Sequence, residues 1–107
     1  MTDAATAITP RDRATLRGLG NTLKPLLVIG KEGLTGSVVT QLDGLLEHHE
    51  LVKIKILKSA ETDRHELADE IAKASRSHLV QVIGRTLLLY RRHPKKPRLL
   101  VEAPEGN

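Results

Sequence analysis

LLVIGKEGLTGSVVTQLDGLLEHHELVKIKI, residues 26–56, decides the fold. It opens on Leu26-Leu27-Val28-Ile29, an unbroken aliphatic run after Pro25 that reads as a short strand buried on both faces. Gly30-Lys31-Glu32-Gly33 stops it. Thr35 stands where a helix N-cap is expected, and Val38, Val39, Leu42, Leu45 and Leu46 recur at helical spacing as far as His48 or His49. The stretch closes on LVKIKI, in which Val52, Ile54 and Ile56 alternate with Lys53 and Lys55, the pattern of a half-buried strand with one basic face. Strand, turn, helix and strand in this order form a βαβ unit, whose strands are expected to be parallel neighbours joined by a right-handed crossover.

The flanks extend the unit in both directions. Upstream, Thr9-Pro10 reads as N-cap and first helical residue, with Asp12 in the first turn where the helix dipole favours an acid. That helix is expected to run to about Arg17 and stop at Gly18 or Gly20. Downstream, Asp63 with Glu66 starts a third helix carrying Leu67, Ala68, Ile71, Ala72 and Ala74. Leu79–Ile83 and Thr86–Tyr90 are two strands separated only by Gly84-Arg85, which is hairpin spacing. The order α-β-α-β-α-β-β predicts a single α/β domain, a mixed four-stranded sheet packed with helices. Its boundaries are expected at residues 9–92, after a disordered N-terminus, 1–8, and before a basic, proline-containing tail, 93–107, in which Leu99–Val101 could add an edge strand.

Composition narrows the function. A chain of 107 residues without cysteine is one domain with no disulfide, thiol nucleophile or thiolate metal site. Tyr90 is the sole aromatic residue, so the core is aliphatic and modules that stack bases on surface aromatics are excluded. Tyr90 itself reads as a strand residue with a polar tip. No secretory signal opens the sequence and no apolar run is long enough to span a membrane, so a cytoplasmic monomer without membrane contact is expected.

The net charge of +4 is moderate, but its distribution is uneven. Lys31, Lys53, Lys55, Lys58 and Arg85 lie in or near the strands, and Arg91, Arg92, Lys95, Lys96 and Arg98 form a run. From Gly84 to Leu100 there is no acid. Glu47, Glu50, Glu61, Asp63, Glu66, Asp69 and Glu70 gather instead at the end of the second helix and around the third. Separation of sign is what a phosphate-binding face requires.

Gly30 to Gly33 is the segment best able to carry chemistry. A dinucleotide fingerprint fails because Glu32 occupies its second glycine position and Lys58 stands where an acidic ribose partner is needed. A Walker loop fails because no Gly-Lys-Ser/Thr closes the pattern. A G-x-x-G loop that clamps nucleic-acid backbone remains, beside an ordinary tight turn. His48-His49-Glu50 could suggest a metal, but neighbours on a helix point about 100° apart, and no spaced ligand pair accompanies them. No catalytic triad is legible around Ser37, Ser59, Ser75 or Ser77.

Residues 23–56, LKPLLVIGKEGLTGSVVTQLDGLLEHHELVKIKI, and later QVIGRTLLLYR, residues 81–91, resemble the CRM domain family (chloroplast RNA splicing and ribosome maturation) in its stand-alone bacterial YhbY-like form. The resemblance spans about Arg13 to Arg92. It implies the α-β-α-β-α-β-β fold, similar in sheet topology to the C-terminal domain of initiation factor three. It also implies RNA binding with Gly30, Lys31, Glu32 and Gly33 in the surface, and association with precursors of the large ribosomal subunit.

The expectation is an RNA-binding protein that is not an enzyme and needs no cofactor. Its partners would be structured RNA, namely precursor large-subunit rRNA, and the pre-ribosomal particle. Loop amides and Lys31 would hold phosphates, and Lys53, Lys55, Lys58, Arg85, Arg91 and Arg92 would extend the track. Lys95 and Lys96 would act from a mobile arm. Two alternatives stand beside it: a ribosome-associated protein-interaction module using an exposed Leu51 or Leu57, and a nucleotide-binding enzyme using the Gly30 turn.

Overall fold

Local signals set the helix starts. In the computed structural model, which describes residues 8–58 and 63–100, Thr9 caps helix α1 (Pro10–Gly20) through a reciprocal pair of hydrogen bonds with Asp12. Thr35 caps α2 (Gly36–His49) by accepting from the Val38 amide, and Asp63 caps α3 (Arg64–Ser75) by accepting from the His65 and Glu66 amides. The strands are β1 (Leu27–Ile29), β2 (Leu51–Ile56), β3 (His78–Ile83) and β4 (Thr86–Tyr90). The two-residue Gly84-Arg85 turn has a positive φ of 57° at Gly84 alone, the hairpin geometry that puts glycine first.

The sheet order is β1-β2-β4-β3. β1 and β2 are parallel neighbours, as the βαβ reading requires. The second passage departs from it: β3 runs in the direction of β2, but β4 folds back between them and pairs antiparallel with both. The hairpin thus takes the place that a second parallel pairing would have had. β1 also departs from expectation. It is an edge strand, and Val28 is 52% exposed between the buried Leu27 and Ile29, so the aliphatic run is covered on one face only.

Period-two alternation divides the core in two. Leu27, Ile29, Val52, Ile54, Ile56, Leu87 and Leu89 face α2 and α3, which supply Leu42, Leu46, Leu67, Ala68 and Ile71. On the opposite face Leu51, Val80, Leu88 and Tyr90 pack with Leu16 of α1 and with Leu100. Gly20 lets α1 lie close to this face, since a Cβ there would sit 2.6 Å from a Leu88 methyl. The β3 irregularity between Leu79 and Gln81 is held by Arg13, whose guanidinium donates to the Leu79 and Val80 carbonyls at 2.8 and 2.9 Å.

Both ends of the domain extend beyond the expected boundaries. Ile8 packs against the second core. Residues 93–100 are neither a loose arm nor an edge strand: Leu99 and Leu100 form a bend, and Leu100 is buried. The rest of Leu99–Val101, and residues 1–7, 59–62 and 101–107, lie outside the described residues. The anchor is Glu50. This fully buried residue ends α2 with φ of 65° and accepts from the His93, Arg98 and Leu99 amides at 2.8, 2.9 and 3.0 Å.

Candidate nucleic-acid interface

The sheet gathers part of the basic set and disperses the rest. β1 and β2 finish at the same end where β3 and β4 are joined, so Gly30–Gly33, Leu57-Lys58 and Gly84-Arg85 are neighbours. Hydrogen bonds tie them together: the Leu57 amide donates to the Ile29 carbonyl at 2.8 Å and the Ile56 amide to the Arg85 carbonyl at 2.7 Å. The Arg85 guanidinium lies 3.5 Å from the Leu57 carbonyl. Lys31, Lys55, Lys58 and Arg85 are exposed at or near this end, with Lys53 half-buried one pleat further down β2.

Gly30 to Gly33 closes as a four-residue turn, the Gly33 amide donating to the Gly30 carbonyl at 3.0 Å. Lys31 and Glu32 form its exposed apex. Gly33 has φ of 67°, a left-handed conformation that favours glycine, and open space where a side chain would project. The turn leads through Leu34 to the α2 cap. Asp12 and Glu66 occupy the first turns of α1 and α3, but the first turn of α2 has no acid, so its positive end faces the basic cluster without a fixed counter-charge. Glu32 is the only acid of the turn, and among the described residues it forms no salt bridge with Lys31.

Arg91 and Arg92 lie at the other end of β4, about 20 Å from Arg85 at strand rise. Arg91 therefore does not extend the track as expected. Its guanidinium is held by the Asp43 carboxylate at 2.8 Å, the Ser75 carbonyl at 2.9 Å and the Asp43 carbonyl at 3.1 Å, which pins α2 to the end of α3. Lys95 and Lys96 are exposed, but their backbone is fixed: both amides donate to His93 Nδ1, whose Nε2 lies 3.2 Å from the Glu47 carboxylate. They form a second basic group, separate from the first.

Three other expectations meet the structure here. Leu51 is buried beneath α1, so it cannot serve the protein-interaction alternative; Leu57 is exposed. Tyr90 is buried, with its ring stacked on that of His78, and offers no platform for a base. Among the described residues its hydroxyl finds no hydrogen-bond partner, and burial, reinforced by the negative charge of Glu50, pushes its pKa up to about 12. Sequence reading missed the cleft beside Lys53, lined also by Asn21, Gln81 and Thr86, because it exists only once α1 crosses the sheet.

Comparison with known proteins agrees with this architecture. A Pseudomonas aeruginosa protein named a probable RNA-binding protein is 40% identical over 89 residues, covering 83% of this chain and 86% of its own. The probable RNA-binding protein YqeI of Bacillus subtilis is 36% identical over 84 residues, covering 78% of this chain and 88% of its own. A Staphylococcus aureus protein described as a candidate RNA-binding protein has a solution structure that superposes with a TM-score of 0.72 at 36% identity, over 87% of this chain and 99% of that one. Residues 8–91 match the CRS1 / YhbY (CRM) domain, and the chain belongs to that family.

Proposed function

We propose that this protein is a non-enzymatic, cytoplasmic RNA-binding protein that assists large-subunit ribosome assembly by gripping the backbone of precursor rRNA. The RNA-binding part of this reading is supported by the names of its relatives and by the CRM domain. The observation that carries the mechanism is the convergence of the Gly30–Gly33 turn, the acid-free start of α2, and Lys31, Lys53, Lys55, Lys58 and Arg85 around one end of the sheet. Phosphates would lie against the turn and the first amides of α2, with the lysines supplying long-range attraction. Phosphate contacts set register rather than sequence, so RNA shape would select the target. Assignment to precursor large-subunit rRNA rests on the resemblance to stand-alone bacterial YhbY-like proteins.

The test is a salt titration with a structured fragment of precursor large-subunit rRNA. Five cations predict a fall of log affinity with log salt at a slope of about −3.5 to −4.5. Lys55→Gln should weaken binding and make the slope shallower by about one. Arg91→Gln should lower melting temperature and leave the slope of the folded protein unchanged. A slope near zero, or equal effects of the two variants on the slope, would refute the assigned surface.

A further inference from the structure

On the α1 face of the sheet, Lys53, Leu88 and Gln81 form one cross-strand row, and Lys55, Thr86 and Ile83 form the next toward the Gly30–Gly33 end. α1 covers the sheet only as far as Leu88. Where it stops, Gly20 and Asn21 overhang the two rows and leave a cleft of about 160 Å³. It is lined by the apolar Leu88 and Ile83, the latter 60% exposed, and by the polar residues Asn21, Gln81, Thr86 and Lys53.

We propose that this cleft receives one unpaired pyrimidine base of the bound RNA. The inference rests on the RNA-binding reading above and assigns it a second element, direct contact with a base. Three observations favour this occupant. The volume is close to that of the engineered apolar cavity of about 150 Å³ that takes up benzene, so it suits a single six-membered ring rather than a fused pair. Asn21 and Gln81 each offer a donor and an acceptor, which matches the mixed edge of uracil or cytosine, while the exposed Ile83 can cover a ring face without an aromatic partner. Finally, the cleft is continuous with the basic end: Lys53 lies in it and Lys55 is on the adjoining row, placed to hold the phosphates on either side of an inserted nucleotide.

Gln81 is uncharged, so replacing it separates base contact from phosphate attraction. The probes are a 12-nucleotide oligouridine, an oligoadenosine of equal length, and a fully paired RNA duplex, each titrated into the full chain. Wild-type protein should favour oligouridine over oligoadenosine. Gln81→Leu should weaken oligouridine binding about three- to tenfold, the worth of one neutral hydrogen bond, with an unchanged salt slope and unchanged affinity for the duplex. In NMR spectra, oligouridine should shift the side-chain amide signals of Asn21 and Gln81. Equal weakening on all three probes, no weakening on oligouridine in a folded variant, or a preference for oligoadenosine would overturn the proposal. Lys55→Gln reports on the phosphate surface separately: it should weaken binding to every probe, and its failure to do so would count against that surface while leaving the Gln81 result to decide the cleft.

Discussion

Tyr90 shows how a single buried group can work against the fold that holds it. Its ring fills the second core, but its hydroxyl is buried with no partner among the described residues, a desolvation cost of about 1–3 kcal/mol. Tyr90→Phe keeps the ring and removes the orphaned donor, so thermal stability near neutral pH should hold or rise. The pH dependence has a definite sign. The folded-state pKa is raised from 10 to about 12, so the folded state binds this proton more tightly than the unfolded chain does. The contribution is fully present below pH 10 and lost as pH rises from 10 through 12. Denaturant melts across that window should therefore show a shallower alkaline loss in Tyr90→Phe than in the wild type. Equal slopes would show that Tyr90 ionises without penalty.

At the scale of elements, α1 contains its own control experiment. Gly18 and Gly20 lie two residues apart and carry the same intrinsic helix penalty, about 1 kcal/mol relative to alanine. Gly18 has open space where a side chain would project, so Gly18→Ala should stabilise by about 0.5–1 kcal/mol. At Gly20 the new methyl would meet two Leu88 methyls at 2.6 and 3.0 Å, and Leu88 is itself buried in the second core. Overpacking of about 1–3 kcal/mol then equals or exceeds the propensity gain, so Gly20→Ala should be neutral to destabilising. Paired urea melts check the order of the two variants. The sequence places both glycines at the end of a helix, but only the approach of α1 to β4 distinguishes them.

At the scale of the whole molecule, Glu50 connects parts that are distant in sequence. Its two carboxylate oxygens hold three backbone amides of residues 93–99, while its own carbonyl accepts from the Arg91 amide at 2.8 Å. The Arg98 guanidinium adds a bond to the His48 carbonyl, and Leu100 completes the second core. Glu50→Gln would set an amide NH2 against an N–H donor and leave it buried, at a cost of about 1–3 kcal/mol. For a domain of this size that is a fall in melting temperature of about 4 °C or more. Ending the chain after Arg92 should destabilise as well, because Leu99 and Leu100 leave the core and the Glu50 carboxylate loses its donors. Unchanged melting of the truncated chain would mean that the segment does not stay docked in solution.

The sequence alone determined the element order, the three helix caps, the two-residue hairpin turn and the alternation of β2, because each depends on residues within one turn or one strand of each other. It also located the Gly30–Gly33 turn and the cations around it. Tertiary structure decided everything that depends on which elements become neighbours. The parallel pairing of β1 with β2 and the antiparallel pairing of β4 with β2 bring Lys31, Lys55, Lys58 and Arg85 to one end of the sheet, while Arg91, past the far end of β4, is taken up by Asp43 and Ser75. The edge position of β1 exposes Val28, and the crossing of α1 buries Leu51 and forms the cleft beside Lys53. Local spacing fixes which way a side chain points from its own element. Whether it then meets solvent, a partner charge or another element is fixed by contacts between residues far apart in the chain, and no single stretch of sequence encodes those.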